Sequence, residues 1–243
     1  MKIKKGVVIA DFHHPYEDKK IVKLYVDFLN TFKPDELVIN GDFLNYAAYN
    51  RHGKRKNEVP NERISEDHTS AIITLDKLPL GKIKHKVWLD GNHEINQDDY
   101  FMEFPDYYDD AIHRYNKLQL KKRGFKEILP YKKSYKSGKL HFTHGWRAGV
   151  NAVRDHLIKD YKASFVMGHI HKSDTATSTN IEENIMQGYA IGCSSQLDFR
   201  YSRHPTSNHG FGVYYMLPNG NFQFYNIVII NYKFIFEGQV WGV

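Results

Sequence analysis

Five short apolar segments of the sequence each run into a cluster of glycine and metal-ligating residues. The clusters are Asp11-Phe12-His13, Gly41-Asp42, Gly91-Asn92-His93-Glu94, His144-Gly145 and Gly168-His169-Ile170-His171. In open α/β sheets, ligands bind at the carboxyl ends of the strands. The repeated order of apolar run and polar cluster therefore indicates an α/β fold in which five strand ends converge on one site.

The first half of the chain alternates between strand and helix patterns. Residues 6–10 and 36–40 are typical of buried strands, and the apolar residues of 18–32 follow the helical period. This order predicts a parallel pair of strands with a right-handed crossover. The remaining predictions are helices at 62–78 and 150–161, strands at 84–89, 139–142 and 163–167, a loop at 45–60, and an irregular stretch at 97–137.

The last third of the sequence changes to an antiparallel β pattern. Its strand-like segments are residues 188–192, 212–217, 221–230 and 232–241, with a hairpin turn at 218–221. No linker, repeat or low-complexity segment is visible, so we predict a single domain over residues 1–243. Two stacked sheets flanked by helices account for the pattern.

The composition excludes several classes of protein. With 41% hydrophobic and 26% charged residues, the chain is globular rather than disordered. Asp11 interrupts the first apolar run, so we expect no secretion signal, and no stretch approaches the roughly 20 apolar residues of a membrane span. The single Cys193 excludes an intramolecular disulfide and is expected to be a buried apolar residue. We therefore expect a cytoplasmic location.

The side chains of the five clusters fit divalent metal ions. Carboxylates and imidazoles bind zinc, manganese and iron, and fourteen histidines is a high count for this length. A pair spaced Asp-x-His or His-x-His projects two side chains to the same side of an extended segment. The alternatives are that Asp11 and Asp42 cap helices and that His169 and His171 form a polar turn. Five clusters in series favour metal binding.

The ordered set D-x-H, G-D, G-N-H-E, H-G and G-H-x-H resembles the calcineurin-like metallophosphoesterase superfamily, especially its short single-domain members of phage or bacterial type. The resemblance implies a four-layer α/β/β/α sandwich with two mixed β-sheets. It also implies an enzyme that hydrolyses phosphate esters with a hydroxide held by two divalent metal ions. Manganese is the expected metal, and iron, zinc and nickel are alternatives.

The resemblance assigns a role to each matching residue. Three residues would hold the first metal and three the second, namely Asp11, His13 and His171, and Asn92, His144 and His169. Asp42 would bridge both metals. His93 would protonate the leaving group as general acid, and Glu94 would orient His93.

Four further residues near the motifs have competing interpretations. His14 follows His13 and is expected to support the site or contact substrate. His141 lies within a predicted strand, whereas His144 is followed by glycine and is favoured as the ligand. Tyr46 and Tyr49 either stack on a base or pack, and packing is favoured.

Basic segments leave the question of nucleic acid open. The net charge of +6 permits attraction to phosphate-rich ligands. Residues 117–139 carry nine Lys or Arg with Phe125, Tyr131 and Tyr135 interleaved, which is compatible with nucleic-acid contact, although a solvated face is favoured. A second basic loop is either a phosphate clamp or a solvated loop, and contains Arg51, His52, Lys54, Arg55 and Lys56. The polar cluster at 202–210 is assigned no role.

The favoured substrate is a small phosphomonoester, a nucleotide or a phosphoprotein. A phosphodiesterase or nuclease is the alternative, but residues 172–243 are expected to be needed for the second sheet, which would leave little room for a separate DNA-binding domain. Competing functions of another class are a non-catalytic binding module on the same scaffold and a nucleic-acid-binding protein without catalysis. The oligomeric state stays open, with a homodimer among the alternatives.

Overall fold

A computed structural model describes residues 3–49, 63–179, 184–198 and 206–243. Its helices are α1 (Lys19–Phe32), α2 (Ile64–Lys77), α3 (Ile95–Glu103), α4 (Arg114–Lys117) and α5 (Ala152–Asp155), which continues as a π-helix over His156–Tyr161. Its strands are β1 (Lys4–Ile9), β2 (Glu36–Asn40), β3 (His85–Leu89), β4 (Glu127–Leu129), β5 (Tyr135–Ser137), β6 (Leu140–Phe142), β7 (Phe165–Met167), β8 (Asp174–Thr179), β9 (Ile185–Ala190), β10 (His209–Met216), β11 (Phe222–Ile229), β12 (Lys233–Phe236) and β13 (Gln239–Gly242). Short 3-10 turns occur at Ala47–Tyr49, Leu80–Lys82 and Pro105–Tyr107.

The strands form two large mixed sheets and a hairpin. Within the described residues, the first sheet has the order β11-β10-β1-β2-β3-β4 and the second the order β5-β6-β7-β9-β8. β1 to β4 are parallel neighbours, and β10 adds to β1 in the antiparallel direction. β12 and β13 form the separate hairpin. The predicted α/β architecture with two mixed sheets is therefore confirmed.

The core has two layers because the side chains of a strand alternate between the faces of its sheet. One face of the first sheet packs against the second sheet through Val8, Val38, Val87, Phe142 and Val166. The other face packs against α1 and the hairpin through Val7, Leu37, Phe28, Phe234 and Phe236. Strands buried on both faces read as continuous apolar runs, which is why β1 to β3 could be predicted from the sequence.

The loop between β1 and α1 ends at a capping residue of α1. Asp18 caps α1, because its side chain accepts hydrogen bonds from the backbone N–H groups of Lys20 and Ile21. Asp11 thus does not take the capping role that was its alternative.

None of the helices in the described ranges is long and apolar enough to cross a membrane.

Three regions differ from the sequence prediction. The irregular stretch at 97–137 contains most of α3 together with α4, β4 and β5, whose two strands have three residues each and carry too little periodicity to be recognised. β8 was missed because its sequence, DTATST, is polar at the sheet edge. The single strand predicted at 232–241 is a hairpin, because Glu237 and Gly238 turn the chain with positive φ. Residues 50–60 of the predicted loop lie outside the described ranges.

A buried carboxylate joins the two sheets at the amino-terminal end of β2. Glu36 is 1% exposed, and its carboxylate accepts hydrogen bonds from Lys4 Nζ (3.1 Å), Tyr135 Oη (2.7 Å) and the hydroxyl of Tyr214. Burial raises the pKa of Glu36, but the hydrogen bonds from Tyr214 and Tyr135 and the charge of Lys4 outweigh burial and hold that pKa below its ordinary value. The ionised form of Glu36 therefore stabilises the fold.

We expect Glu36→Gln to lower the unfolding free energy by about 1–3 kcal/mol at neutral pH. The uncharged amide loses the charge-assisted hydrogen bonds, and its N–H₂ group would face the groups that donate to Glu36 in the wild type. The folded pKa of Glu36 lies below its ordinary value of 4.5, so the contribution is complete above that pH and is lost as the pH falls through the folded pKa. Urea unfolding at neutral pH and below pH 4.5 measures the difference from wild type. Glu127→Gln, at an exposed position of β4, is the control. A destabilisation that does not shrink on acidification contradicts this account.

Candidate metal centre

The loops that carry the five clusters meet at the carboxyl ends of β1, β2, β3, β6 and β7. The loops after β1 and β2 stay paired beyond their strands, because the N–H groups of Asp11 and His13 donate to the carbonyls of Gly41 (3.1 Å) and Asp42 (2.9 Å). Asp11, His13 and Asp42 are at most 2% exposed. The site is therefore an extension of the sheet hydrogen bonding.

A first group of ligating side chains consists of Asp11, His13, Asp42 and His171, whose ligand atoms lie within 4.8 Å of one another. The Nε2 atoms of His13 and His171 are 2.9 Å apart. His171 Nε2 is 3.5 Å from Asp11 Oδ1, and His13 Nε2 is 3.7 Å from Asp42 Oδ2. These distances place two imidazoles and two carboxylates around one point.

A second group consists of Asp42, His144 and His169, and it shares Asp42 with the first. His144 Nε2 is 3.0 Å from Asp42 Oδ2. Asn92 Oδ1 lies 3.2 Å from His144 Nε2 and 2.7 Å from His169 Nδ1. The structure thus brings together all seven residues that the resemblance assigned as ligands. Two groups that share one carboxylate fit a pair of divalent cations, since carboxylate and imidazole are suitable donors.

Burial and neighbouring charges shift the pKa values of the residues in the site. Burial lowers the pKa of His169 and of His171 to about 4, so both imidazoles are neutral at pH 7 and can coordinate a metal. Burial raises the pKa of Asp11 to about 8. Burial also raises the pKa of Asp42, but the charge of His144 outweighs it and holds that pKa well below its ordinary value. Asp42 therefore offers a carboxylate at the point where the two groups meet.

Two glycines allow the loops to approach this closely. A Cβ at Gly91 would overlap Asp42 Oδ1. Gly41 has a φ of 85°, in the left-handed region, and a Cβ there would overlap the ring of His144. Glycine at both positions is therefore required for Asp42 and His144 to meet.

His93 lies beside the first group. Its backbone N–H donates to Asp42 Oδ1 at 2.9 Å, and its ring packs edge-on against His13 with centroids 4.5 Å apart. Its Nδ1 is 2.6 Å from the carbonyl oxygen of Asn45. A carbonyl only accepts, so Nδ1 carries a proton and Nε2 is the nitrogen that can exchange a proton with a ligand.

Glu94 occupies a different place from the one expected. Its carboxylate accepts hydrogen bonds from the backbone N–H groups of Gly91 (2.7 Å), Leu44 (2.8 Å) and Asp42 (3.0 Å). The ring of His93 is held by Asn45 instead. Glu94 thus ties the loop after β2 to the loop after β3 and does not orient His93 by direct contact. The chain turns into α3 at this point, which directs the two adjacent side chains differently.

The competing residues lie outside the two ligand groups. His14 is fully buried, and its Nδ1 lies 2.9 Å from Glu17 Oε2 and 3.2 Å from Ser70 Oγ, so it supports the loop. Tyr46 is fully buried and bonds to His68 Nε2 at 2.7 Å, which confirms packing. Tyr49 and Cys193 are also buried, and His141 lies half-buried on β6.

The basic segment at 117–139 does not present a row of aromatic side chains. Phe125 belongs to the core and Tyr135 bonds to Glu36, whereas Tyr131 lies at the site, with its ring 6.3 Å from that of His144. Burial and the charge of Asp42 raise the pKa of Tyr131 to about 12. Tyr131 was not predicted as a site residue, because β4, which positions it, was not recognised.

Two groups of polar residues named from the sequence lie wholly or partly outside the described ranges. The loop residues fall there entirely, namely Arg51, His52, Lys54, Arg55 and Lys56. Residues 202–205 of the late polar cluster do so as well. Asn208 of that cluster is described, and its backbone N–H donates to the carbonyl of His171 at 2.9 Å. Asn208 thus supports a predicted ligand.

The family model described as calcineurin-like phosphoesterase matches residues 5–187. The chain therefore belongs to the calcineurin-like phosphoesterase family. Among curated proteins it is similar to the gene 54 proteins of Mycobacterium phage D29 (26% identity) and Mycobacterium phage L5 (24% identity), each over 99% of both chains.

Among solved structures, the chain is similar in fold to a single mutant of Vps29 from Entamoeba histolytica. That comparison has 14% identity and a TM-score of 0.48, and covers 97% of this chain and 95% of the other. The phosphoesterase YfcE of E. coli gives 15% identity and a TM-score of 0.42, and covers 89% of this chain and 93% of the other.

The contacts of Glu94 lead to a prediction about metal content. We expect Glu94→Gln to lower the unfolding free energy by about 1–3 kcal/mol, because the N–H₂ group of the glutamine would face backbone N–H donors. We also expect it to reduce metal content, because Asp42, whose N–H is one of these donors, would be displaced. His93→Ala should keep its metal, because His93 lies outside both ligand groups. Elemental analysis of the purified variants, each grown with the same manganese supply, measures this. If Glu94→Gln keeps full metal content and stability, the loop-tying role is wrong.

Proposed function

We propose that this protein is a two-metal phosphoesterase, with a small phosphomonoester, nucleotide or phosphoprotein as the favoured substrate. The observation that carries the proposal is the pair of ligand groups that share Asp42, in a chain of the calcineurin-like phosphoesterase family. His93, with Nε2 as its exchangeable nitrogen, lies beside them. A non-catalytic module has no need of a histidine so placed.

The seven ligand candidates divide between two cations. In the proposal, Asp11, His13 and His171 hold the first, and Asn92, His144 and His169 hold the second. Asp42, which belongs to both groups, would contact both. When bound, a pair of divalent cations supplies a hydroxide nucleophile at neutral pH and neutralises charge on the phosphate. We propose manganese, with iron, zinc and nickel as alternatives.

His93 acts as general acid in this proposal. The Asn45 carbonyl keeps one proton on Nδ1. When the ring carries protons on both nitrogens, the one transferred to the leaving oxygen is therefore the proton on Nε2. The bond from the His93 backbone to Asp42 Oδ1 keeps the ring beside the ligand groups. Proton transfer of this kind contributes typically about 10²–10⁴-fold to the rate.

The charge around His93 favours a small substrate over a nucleic acid. Residues 95–112, which begin two positions after His93, contain six acidic residues and no lysine or arginine. Arg114 is bonded to Asp90 and Asp98, so its charge is compensated. An acidic segment beside the general acid repels a polyanionic backbone. We therefore place the phosphodiesterase or nuclease function second.

The first test is metal-dependent hydrolysis. After treatment with chelator, we expect activity to be absent and to return with manganese, with p-nitrophenyl phosphate hydrolysed faster than bis-p-nitrophenyl phosphate. Asp42→Ala should reduce the rate by at least about 100-fold, because it removes the charge shared by both ligand groups. Asp27→Ala, at a surface ion pair of α1, is the matched control. Metal binding without hydrolysis of either ester would favour the non-catalytic binding module.

The role of His93 has its own test. We expect His93→Ala to slow hydrolysis of an alkyl phosphate by about 10²-fold or more, and that of p-nitrophenyl phosphate far less, because p-nitrophenolate leaves without protonation. Initial rates with manganese at pH 7 measure both losses. His141→Ala, at a half-buried histidine of β6 outside the site, is the control. Equal losses on the two esters would remove His93 as the acid.

A further inference from the structure

The end of β4 brings residues 130–133 to the metal centre. β4 runs parallel to β3 with Leu129 opposite Leu89, and the N–H of Asp90 donates to the carbonyl of Leu129 at 2.9 Å. Asp90 directly precedes Gly91 and Asn92. Because parallel strands end at the same edge, the chain after β4 emerges beside the loop that carries Asn92 and His93.

A tight turn fixes the direction of the chain at this point. The N–H of Lys133 donates to the carbonyl of Pro130 at 3.1 Å, so the two central residues of the turn are Tyr131 and Lys132. Lys132, the third residue of the turn, has a φ of 67°. Turns with a positive φ at this position are of type II and favour glycine there. A left-handed lysine is disfavoured, and backbone strain of this kind collects at functional sites. Pro130 and the closing hydrogen bond hold Tyr131 in place.

Tyr131 borders the second ligand group. Its ring centroid lies 6.3 Å from that of His144, with the ring planes inclined at 62°. The side chain is only partly buried. The ammonium group of Lys132 lies over one face of the Tyr131 ring, 5.6 Å from its centroid, so a stacking ligand would use the opposite face. A partly exposed aromatic ring next to a cation is a binding surface for a flat, anionic ligand.

We propose that Tyr131 is a stacking surface for the leaving group, and that the substrate is a mononucleotide whose base packs on this ring. The proposal rests on the phosphoesterase function proposed above. His144 Nε2 lies 3.0 Å from Asp42 Oδ2, and the Tyr131 centroid lies 6.3 Å from that of His144, so a ligand that reaches from the second group to Tyr131 needs a spacer between its phosphate and its flat part. A ribose supplies such a spacer between phosphate and base, whereas in an aryl phosphate the ring is joined directly to the ester oxygen.

One base fits better than a strand of bases. Of the three aromatic residues in the basic segment, Phe125 lies in the core and Tyr135 is bonded to Glu36, so Tyr131 is the one that reaches the site. Proteins that bind single strands stack successive bases on several aromatic side chains. The acidic residues at 95–112 add repulsion against a longer polyanion.

Adenosine 5′-monophosphate and ribose 5-phosphate test the proposal, because they share the leaving oxygen and differ by the base. The full-length protein with manganese is assayed for kcat/KM on both esters. We expect wild type to prefer the nucleotide, and Tyr131→Ala to lower that preference about tenfold or more through KM. Tyr131→Phe should retain the preference within about twofold, because stacking depends on the ring. Lys133→Ala, an exposed neighbour in the same turn, is the control for altered turn geometry.

Each outcome decides a separate point. A preference that is unchanged in Tyr131→Ala, while the wild type hydrolyses both esters, overturns the stacking surface and leaves the phosphoesterase function standing. A preference lost equally in Lys133→Ala overturns it too, since the effect then belongs to the turn. Phosphotyrosine is the third ester, and a loss in Tyr131→Ala confined to phosphotyrosine overturns the nucleotide assignment. If wild type hydrolyses no ester with any metal, the phosphoesterase function fails and this inference with it.

Discussion

Two carboxylates buried side by side are the constraint around which this structure is arranged. Asp11 and Asp42 are at most 1% exposed, and burial of uncompensated charge is among the most unfavourable arrangements in a protein. Burial keeps His169 and His171 neutral at pH 7, so the positive charge that faces Asp42 is that of His144, and burial raises the pKa of Asp11 to about 8. Divalent cations held between these groups would take the place of the protons on Asp11 and His144. The site is therefore best understood as a candidate cation-binding site formed by loops that follow strands of both sheets.

The same convergence explains where the backbone is strained. Five of the predicted ligands have positive φ, namely Asp11, His13, Asp42, His169 and His171. The left-handed conformation costs roughly 1–2 kcal/mol for each residue with a side chain. The strain lies at strand ends, directly above the layer of Val8, Val38 and Val87 that is packed between the sheets. A rigid, well-buried layer below is what allows unfavourable conformations to persist above it.

The convergence of the seven candidate ligands could be predicted from the sequence because their signal is local. Asp-x-His and His-x-His spacings at the ends of apolar runs need no tertiary information, and β1 to β3 are readable because both faces are buried. The contacts of Glu94 could not be predicted, since they depend on how two loops meet in space. Tyr131 was missed for the same reason, because three-residue β4 is recognisable only by its pairing with β3. Polar β8 is likewise a strand only through its partner, β9.

Two segments of opposite charge are attached to the end of β3 and β4. The acidic segment at 95–112 is anchored by Arg114, which is 1% exposed and bonds at 2.7 Å to both Asp90 and Asp98. Asp90 in turn bonds to β4 through its backbone. The segment beside His93 and the turn that carries Tyr131 and Lys132 are thus tied to the same strand end. The relative position of the two segments is therefore set by the end of β3 and β4 and does not depend on a bound ligand.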